Sequence, residues 1–204
     1  MLKKRIAVLV SGNGTNLQAL LDAEKSGVIN AGKIVLVISD RPNVYALKRA
    51  QAANVKTSLL DKKALGGQQE FEPKLLELLT AENIDLIVLA GFLSILSADF
   101  TRRYEKRIIN IHPALIPAFC GSGFYGLKVH EEALKRGVKI SGATVHFVNE
   151  IADGGEIIAQ QAVEVLPNDT PQTLQQRIME QAEWQLLPCA VEEVCKSMRR
   201  KTFA

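Results

Sequence analysis

Short apolar runs alternate, through the first half of the chain, with stretches whose apolar residues recur every third or fourth position. Residues 5–10 form a β-branched run, apolar from Ile6 to Val10, that stops at Ser11-Gly12-Asn13-Gly14. In residues 16–25, Leu17, Leu20 and Leu21 share one face of a 3.6-residue repeat, which predicts a helix. The alternation continues with strands at 33–39, 55–59, 86–90 and 107–111 and helices at 44–53 and 71–81, the last with Leu75, Leu78 and Leu79 on one side. Unbroken apolar strands separated by helices predict an α/β fold, a Rossmann-like, mostly parallel sheet with helices on both faces. Such sheets bind ligands beyond the carboxyl ends of their strands, near the change in strand order. Attention therefore falls on the residues after Val10, Ala90 and Ile111.

The second half reads differently. Residues 139–148 alternate, with Thr144 and His146 against Val145 and Phe147, and predict a half-buried antiparallel strand; 156–165 predict another. Residues 170–197 predict one long helix, capped by Thr170 with Pro171 at its first position. Pro188 is expected to end or kink it. Residues 61–69 carry two glycines among charges and are the candidate mobile loop. Neither repeat nor linker interrupts the chain, so residues 1–204 are expected to form a single domain.

Composition narrows the classes. Hydrophobic residues make up 47% and charged residues 23%, an ordinary globular balance that excludes disorder. Twenty-five basic against 22 acidic residues leave a net charge of +3, too small and dispersed for nucleic-acid binding. The longest apolar stretch, 86–96, is far short of the roughly 18 residues of a membrane helix, and the run at 6–10 is too short for a signal peptide. Cys120, Cys189 and Cys195 form no CxxC and no disulfide framework, and point to a reducing, cytoplasmic setting. The basic cluster Arg199-Arg200-Lys201 reads as a solvated helix end.

Three segments carry candidate chemistry. Ser11-Gly12-Asn13-Gly14-Thr15-Asn16, between strand and helix, lets the backbone approach a ligand and offers helix N–H groups to an anion; it suits a phosphate, or simply a strand–helix turn. It is neither a dinucleotide fingerprint, since Leu17 stands where the third glycine belongs, nor a P-loop. Asn110 and His112 lie two apart on one side of a strand end. Histidine can move a proton near neutral pH and asparagine can donate to an oxyanion, while a histidine satisfied at a strand end has the same look. Asp153-Gly154-Gly155 suits either a carboxylate that orients an imidazole or a plain turn. His146 reads as a satisfied strand histidine that could line the site. His130, beside Lys128, Glu131 and Glu132, and Glu183, in the long helix, read as solvated. The histidines are too scattered for a metal triad, so no metal is expected, and no GxSxG marks a serine nucleophile.

Together, SGNGTNLQA at 11–19, LAGF at 89–92, ILS at 95–97, NIHPALIP at 110–117, GATVHFV at 142–148 and DGG at 153–155 closely resemble the folate-dependent phosphoribosylglycinamide formyltransferases, over about residues 6–188. The resemblance implies the formyltransferase fold, with antiparallel strands near the C-terminal end. It implies 10-formyltetrahydrofolate as co-substrate, glycinamide ribonucleotide as acceptor, no metal, no nucleic acid or membrane partner, and a monomer or homodimer. Asn110, His112 and Asp153 would be catalytic, His112 as an imidazolium held charged by Asp153, which would also help shuttle the proton through water. Gly14, Thr15, Asn16, Pro113 and Glu183 would bind the ribonucleotide. Leu93, Ser94, Ile95, Leu96, Asn110, Asn149, Glu150, Ile151 and Ala152 would meet the folate. The chain departs from the family pattern at Ser94, basic in some members, at Glu156, where proline is common, at Trp184, where histidine is frequent, and in 61–69, which lacks an arginine. Formyltransferases acting on methionyl-tRNA carry a further C-terminal domain, and formyltetrahydrofolate deformylases an N-terminal one; a chain of this length is expected to carry neither. A nucleotide-binding module using only the glycine turn is the reading without catalysis.

Overall fold

The computed structural model describes residues 2–198, so Arg199-Arg200-Lys201 lies outside the described residues. In chain order the elements are β1 (Lys4–Val10), α1 (Thr15–Ser26), β2 (Gly32–Ser39), α2 (Tyr45–Ala52), β3 (Lys56–Leu59), α3 (Gln68–Ala81), β4 (Leu86–Leu89), α4 (Ala98–Arg103), β5 (Ile108–His112), α5 (Leu127–Arg136), β6 (Ile140–Phe147), β7 (Ile157–Glu164), α6 (Pro171–Ile178), a π-helical turn (Met179–Glu183) and α7 (Trp184–Ser197). They build one seven-stranded sheet ordered β3-β2-β1-β4-β5-β6-β7. β1 to β5 run parallel; β6 pairs antiparallel with β5, and β7 with β6.

β1 shows why its apolar run is unbroken. Ile6, Val8 and Val10 pack with α1, α2 and α7 on one face of the sheet, while Ala7 and Leu9 pack with α3 and α4 on the other. A strand covered on both faces has no polar side to show. Leu17, Leu20 and Leu21 bury the inner stripe of α1, each contributing about 1.5–3 kcal/mol. Among the described residues no helix is long and apolar enough to cross a membrane.

Three differences from the sequence reading have physical causes. α3 begins at Gln68, so the loop expected over 61–69 is shorter; it is tied down by Asp61, whose Oδ1 accepts from the Lys63 and Ala64 N–H groups at 3.0 and 3.1 Å. Pro188 sits inside α7 without ending it. The irregularity falls one turn earlier, in the π turn; the Trp184 carbonyl, which the proline ring would otherwise crowd, lies at the seam between π and α geometry. His130 is fully buried rather than solvated, because Val129, His130 and Ala133 share the inner face of α5 and its charged neighbours occupy the outer one.

Candidate active site

The strand order reverses between β1 and β4, so the loops leaving these two strands diverge and open a cleft at their carboxyl ends. The loops are stitched at their base: Ser11 N–H donates to the Gly91 carbonyl at 3.1 Å, and Leu93 N–H donates to the Ser11 hydroxyl at 2.9 Å. The cleft has a volume of about 650 Å³ and is walled by Thr15, Asn16, Leu93, Asn110, His112, Pro113, Asp153 and Glu183, among others.

On one wall, Gly14 starts α1 with φ 72°, and a Cβ there would lie 2.6 Å from the Ala46 Cβ, so the turn admits only glycine. It presents Thr15 and Asn16 to the cleft. Asn16 Nδ2 donates to Glu183 Oε2 at 2.6 Å. Glu183 is therefore not on a solvated face: the π turn brings it inward, it is 6% exposed, and burial, only partly offset by the Asn16 hydrogen bond, holds its carboxyl above the usual range. Among the described residues the Asn16 Oδ1 has no partner.

On the other wall, β5 and β6 bring together four side chains. Their register sets Asn110 opposite His146 and His112 opposite Thr144. His146 Nδ1 faces the Phe147 carbonyl at 2.8 Å and donates to it, which leaves Nε2 as acceptor for Asn110 Nδ2 at 3.2 Å. His146 is thus satisfied, as its sequence context suggested, and it also fixes the carboxamide of Asn110. Asp153 lies between the two imidazoles, with Oδ2 at 3.5 Å from His112 Nδ1 and Oδ1 at 3.5 Å from His146 Nε2. Its backbone adopts φ 55°, a left-handed conformation that Asp tolerates. Gly155 must follow closely, because a Cβ there would fall 1.7 Å from the Phe147 carbonyl. Gly121 N–H donates to Asp153 Oδ2 at 2.8 Å. Burial pushes the Asp153 carboxyl upward, but the Gly121 hydrogen bond and the two imidazole rings beside it outweigh that and hold the group below its ordinary range.

His112 is 4% exposed, and its Nε2 donates to the Phe119 carbonyl at 2.8 Å. Burial depresses its pKa, while Asp153 and the Phe119 carbonyl pull it up without prevailing. This direction favours the neutral ring, whereas the resemblance implies an imidazolium held charged by Asp153. Desolvation wins because the ring is nearly closed off from water.

The remaining anticipated residues divide. Leu93, Ile95 and Ala152 line the cleft. Ser94 donates its hydroxyl to Asp40 Oδ2 at 2.6 Å, and Leu96 packs in the core beside α3. Asn149 braces the turn before Asp153, accepting from Ile151 N–H at 3.0 Å and donating to the Gly154 carbonyl at 3.3 Å; Glu150 and Ile151 are exposed on that turn. Three elements of the site went unmarked in sequence. They are the backbone of Phe119 and Gly121, the aromatic pair Phe124-Tyr125 between glycines, and Arg41. The closely spaced Gly121, Gly123 and Gly126 were the available signal of a functional loop. Among the described residues no cluster of three or more His, Cys, Asp or Glu could hold a metal ion.

Known proteins resemble the chain in both sequence and fold. The chain is 40% identical over 189 residues to the phosphoribosylglycinamide formyltransferase of Haemophilus influenzae, covering 93% of this chain and 86% of that one. It is 44% identical over 184 residues to the trifunctional purine biosynthetic protein adenosine-3 of Drosophila melanogaster, covering 89% of this chain but 13% of that much longer protein. Its fold superposes on the crystal structure of glycinamide ribonucleotide transformylase 1 from Symbiobacterium toebii with a TM-score of 0.89 at 40% identity, covering 98% of this chain and 92% of that one. Residues 4–191 match the formyl transferase family, and the chain belongs to it.

Proposed function

We propose that the chain transfers the formyl group of 10-formyltetrahydrofolate to the amine of N1-(5-phospho-D-ribosyl)glycinamide, in the cytoplasm, as a step of de novo purine synthesis. The observation that carries this reading is the convergence of Asn110, His112 and Asp153 on one wall of a cleft whose opposite wall holds a glycine turn and Glu183. The phosphate of the acceptor meets Gly14, Thr15 and Asn16 at the positive end of α1. Glu183 and Pro113 face the glycinamide. The pterin lies between the 93–96 loop and the 149–152 turn.

The acceptor nitrogen attacks the formyl carbon, and charge develops on the formyl oxygen. The Asn110 carboxamide, held by His146, donates to that oxygen; losing one such donor commonly costs about 100- to 1,000-fold in rate. Neutral His112 takes the proton from the attacking nitrogen, and Asp153 stabilises the imidazolium so formed. The bond from formyl carbon to folate nitrogen then breaks, and His112 returns the proton to that nitrogen. Asp153 thus acts on the cation made during turnover rather than on the resting ring. Holding both substrates in line supplies much of the remaining acceleration.

The test is incubation of the purified protein with both substrates, following the absorbance of deformylated folate. A signal that requires the amine supports transfer. Consumption of folate without the amine would make the protein a hydrolase, and no turnover would leave a binding module.

A further inference from the structure

We propose that Arg41 is the fixed cation of the cleft and pairs with the phosphate of the acceptor, a role that rests on the formyl-transfer reading above. The glycine turn offers only neutral donors, since the first turn of α1 carries no charged side chain. Of the titratable residues lining the cleft, Asp153 and Glu183 are carboxylic acids and Arg41 is the single arginine or lysine among the described residues. A phosphate entering without Arg41 would meet a wall with no permanent positive charge.

The chain aims Arg41 at this task. Its backbone is clasped by the buried Ser39 hydroxyl, which accepts from Arg41 N–H at 3.1 Å and donates to the Arg41 carbonyl at 2.7 Å. Asp40, the neighbour before it, turns inward: it is 4% exposed and takes the Ser94 hydroxyl. Asp40 thus anchors the bend after β2 from inside, while Arg41 is exposed and lines the cleft. This connection between β2 and α2 also touches the phosphate turn. Ala46 N–H donates to the Gly12 carbonyl at 3.2 Å, and Ala46 is the residue against which Gly14 packs. The other arginine nearby is already engaged. Arg49 donates through Nε to the Asn13 carbonyl at 2.9 Å and through Nη1 to Gln18 at 3.1 Å, with its guanidinium 4.8 Å from the centre of the Tyr45 ring. Among the described residues the Arg41 guanidinium makes no hydrogen bond or ion pair. A planar cation without a partner at the edge of an anion cradle suits a phosphate.

The experiment compares wild type, Arg41→Gln and Arg41→Lys with the ribonucleotide and with its phosphate-free riboside, by calorimetric titration and by steady-state rates. In Arg41→Gln the dissociation constant and KM for the ribonucleotide are expected to rise about 10- to 100-fold, with kcat and the KM for folate changed little, and Arg41→Lys is expected to recover part of the loss. Binding of the riboside should be the same in all three proteins. Unchanged ribonucleotide affinity in Arg41→Gln, an equal loss with the riboside, or a rise confined to the folate KM would each overturn the assignment; the last would place Arg41 on the glutamate carboxylates of the folate instead. Absence of formyl transfer by the wild type would refute the reaction itself, and the titrations would register that failure separately.

Discussion

Replacing Asp153 by Asn removes one charge and very little shape. Asparagine adopts the left-handed backbone at least as readily as aspartate, so φ 55° is no obstacle, and its carbonyl oxygen can still accept from Gly121 N–H. What is lost is the attraction between a carboxylate and the imidazolium formed in turnover, 3.5 Å apart. At an effective dielectric of about 20 that attraction is about 4–5 kcal/mol. Loss of the carboxylate's own burial cost and the residual water contact of a side chain 14% exposed reduce it to about 2–3 kcal/mol net. kcat should therefore fall about 30- to 150-fold, with the KM values nearly unchanged. The pH profile adds a signed check. Asp153 raises the pKa of His112, so its removal depresses that value further. Because the neutral ring is the active base, the acid limb of the rate profile should move to lower pH. Initial rates of folate deformylation across the acid range measure both quantities. A kcat loss below about threefold, or an acid limb that moves upward, would refute the account in which Asp153 acts through His112.

Further outcomes follow from the same contacts. Gly155→Ala places a methyl group 1.7 Å from the Phe147 carbonyl; a cost of about 3 kcal/mol, or roughly 6–12 °C in Tm, should appear in a thermal melt, with activity lost as Asp153 shifts. Glu183→Ala leaves Asn16 Nδ2 buried without its acceptor, so urea unfolding should show a loss of about 1–3 kcal/mol together with weaker binding of the ribonucleotide. Burial lowers the pKa of His130 from 6.5 to about 4, with His112 adding to the effect. The unfolded chain thus takes up this proton first, and stability drains away as pH falls from about 6.5 to about 4, by about 3 kcal/mol in all. His130→Leu should flatten that dependence in unfolding curves at pH 7.5 and 4.5, and a loss parallel to that of the parent would contradict it.

β1, β2, β4 and β5 could be read from the chain because they are buried on both faces and therefore largely apolar, whereas β3, at the sheet edge and partly exposed, carries Lys56, Thr57 and Ser58 and lacks that signal. Asn110 and His112 were legible for a related reason: a period of two puts them on one side of a strand whose end faces the cleft. That Asp153 joins them was not written locally. It depends on the antiparallel pairing of β5 with β6 and on the turn after β6, and only the family resemblance supplied it. α4 escaped notice because six residues, anchored chiefly by Phe100, give too short a repeat to register. His130 was misplaced because charged neighbours on the outer face dominate its local composition. Glu183 was misplaced because a 3.6-residue period does not anticipate the π turn. Phe119 and Gly121 act through backbone groups, which no side-chain pattern announces.

The π turn also constrains what changes this protein could tolerate. It is a one-residue phase slip between two halves of a single rod. Upstream, the slip points Glu183 into the cleft; downstream, it leaves Leu187, Val191 and Val194 seated in the interior. Deleting any one residue between Met179 and Glu183 would restore ordinary helical winding and leave the two halves nearly in phase, because five residues of π winding turn about as far as four of α. The apolar stripe of α7 would then keep its seat, whereas the bulge that carries Glu183 inward would be gone. Shortening the chain by one residue here should therefore cost binding more than folding.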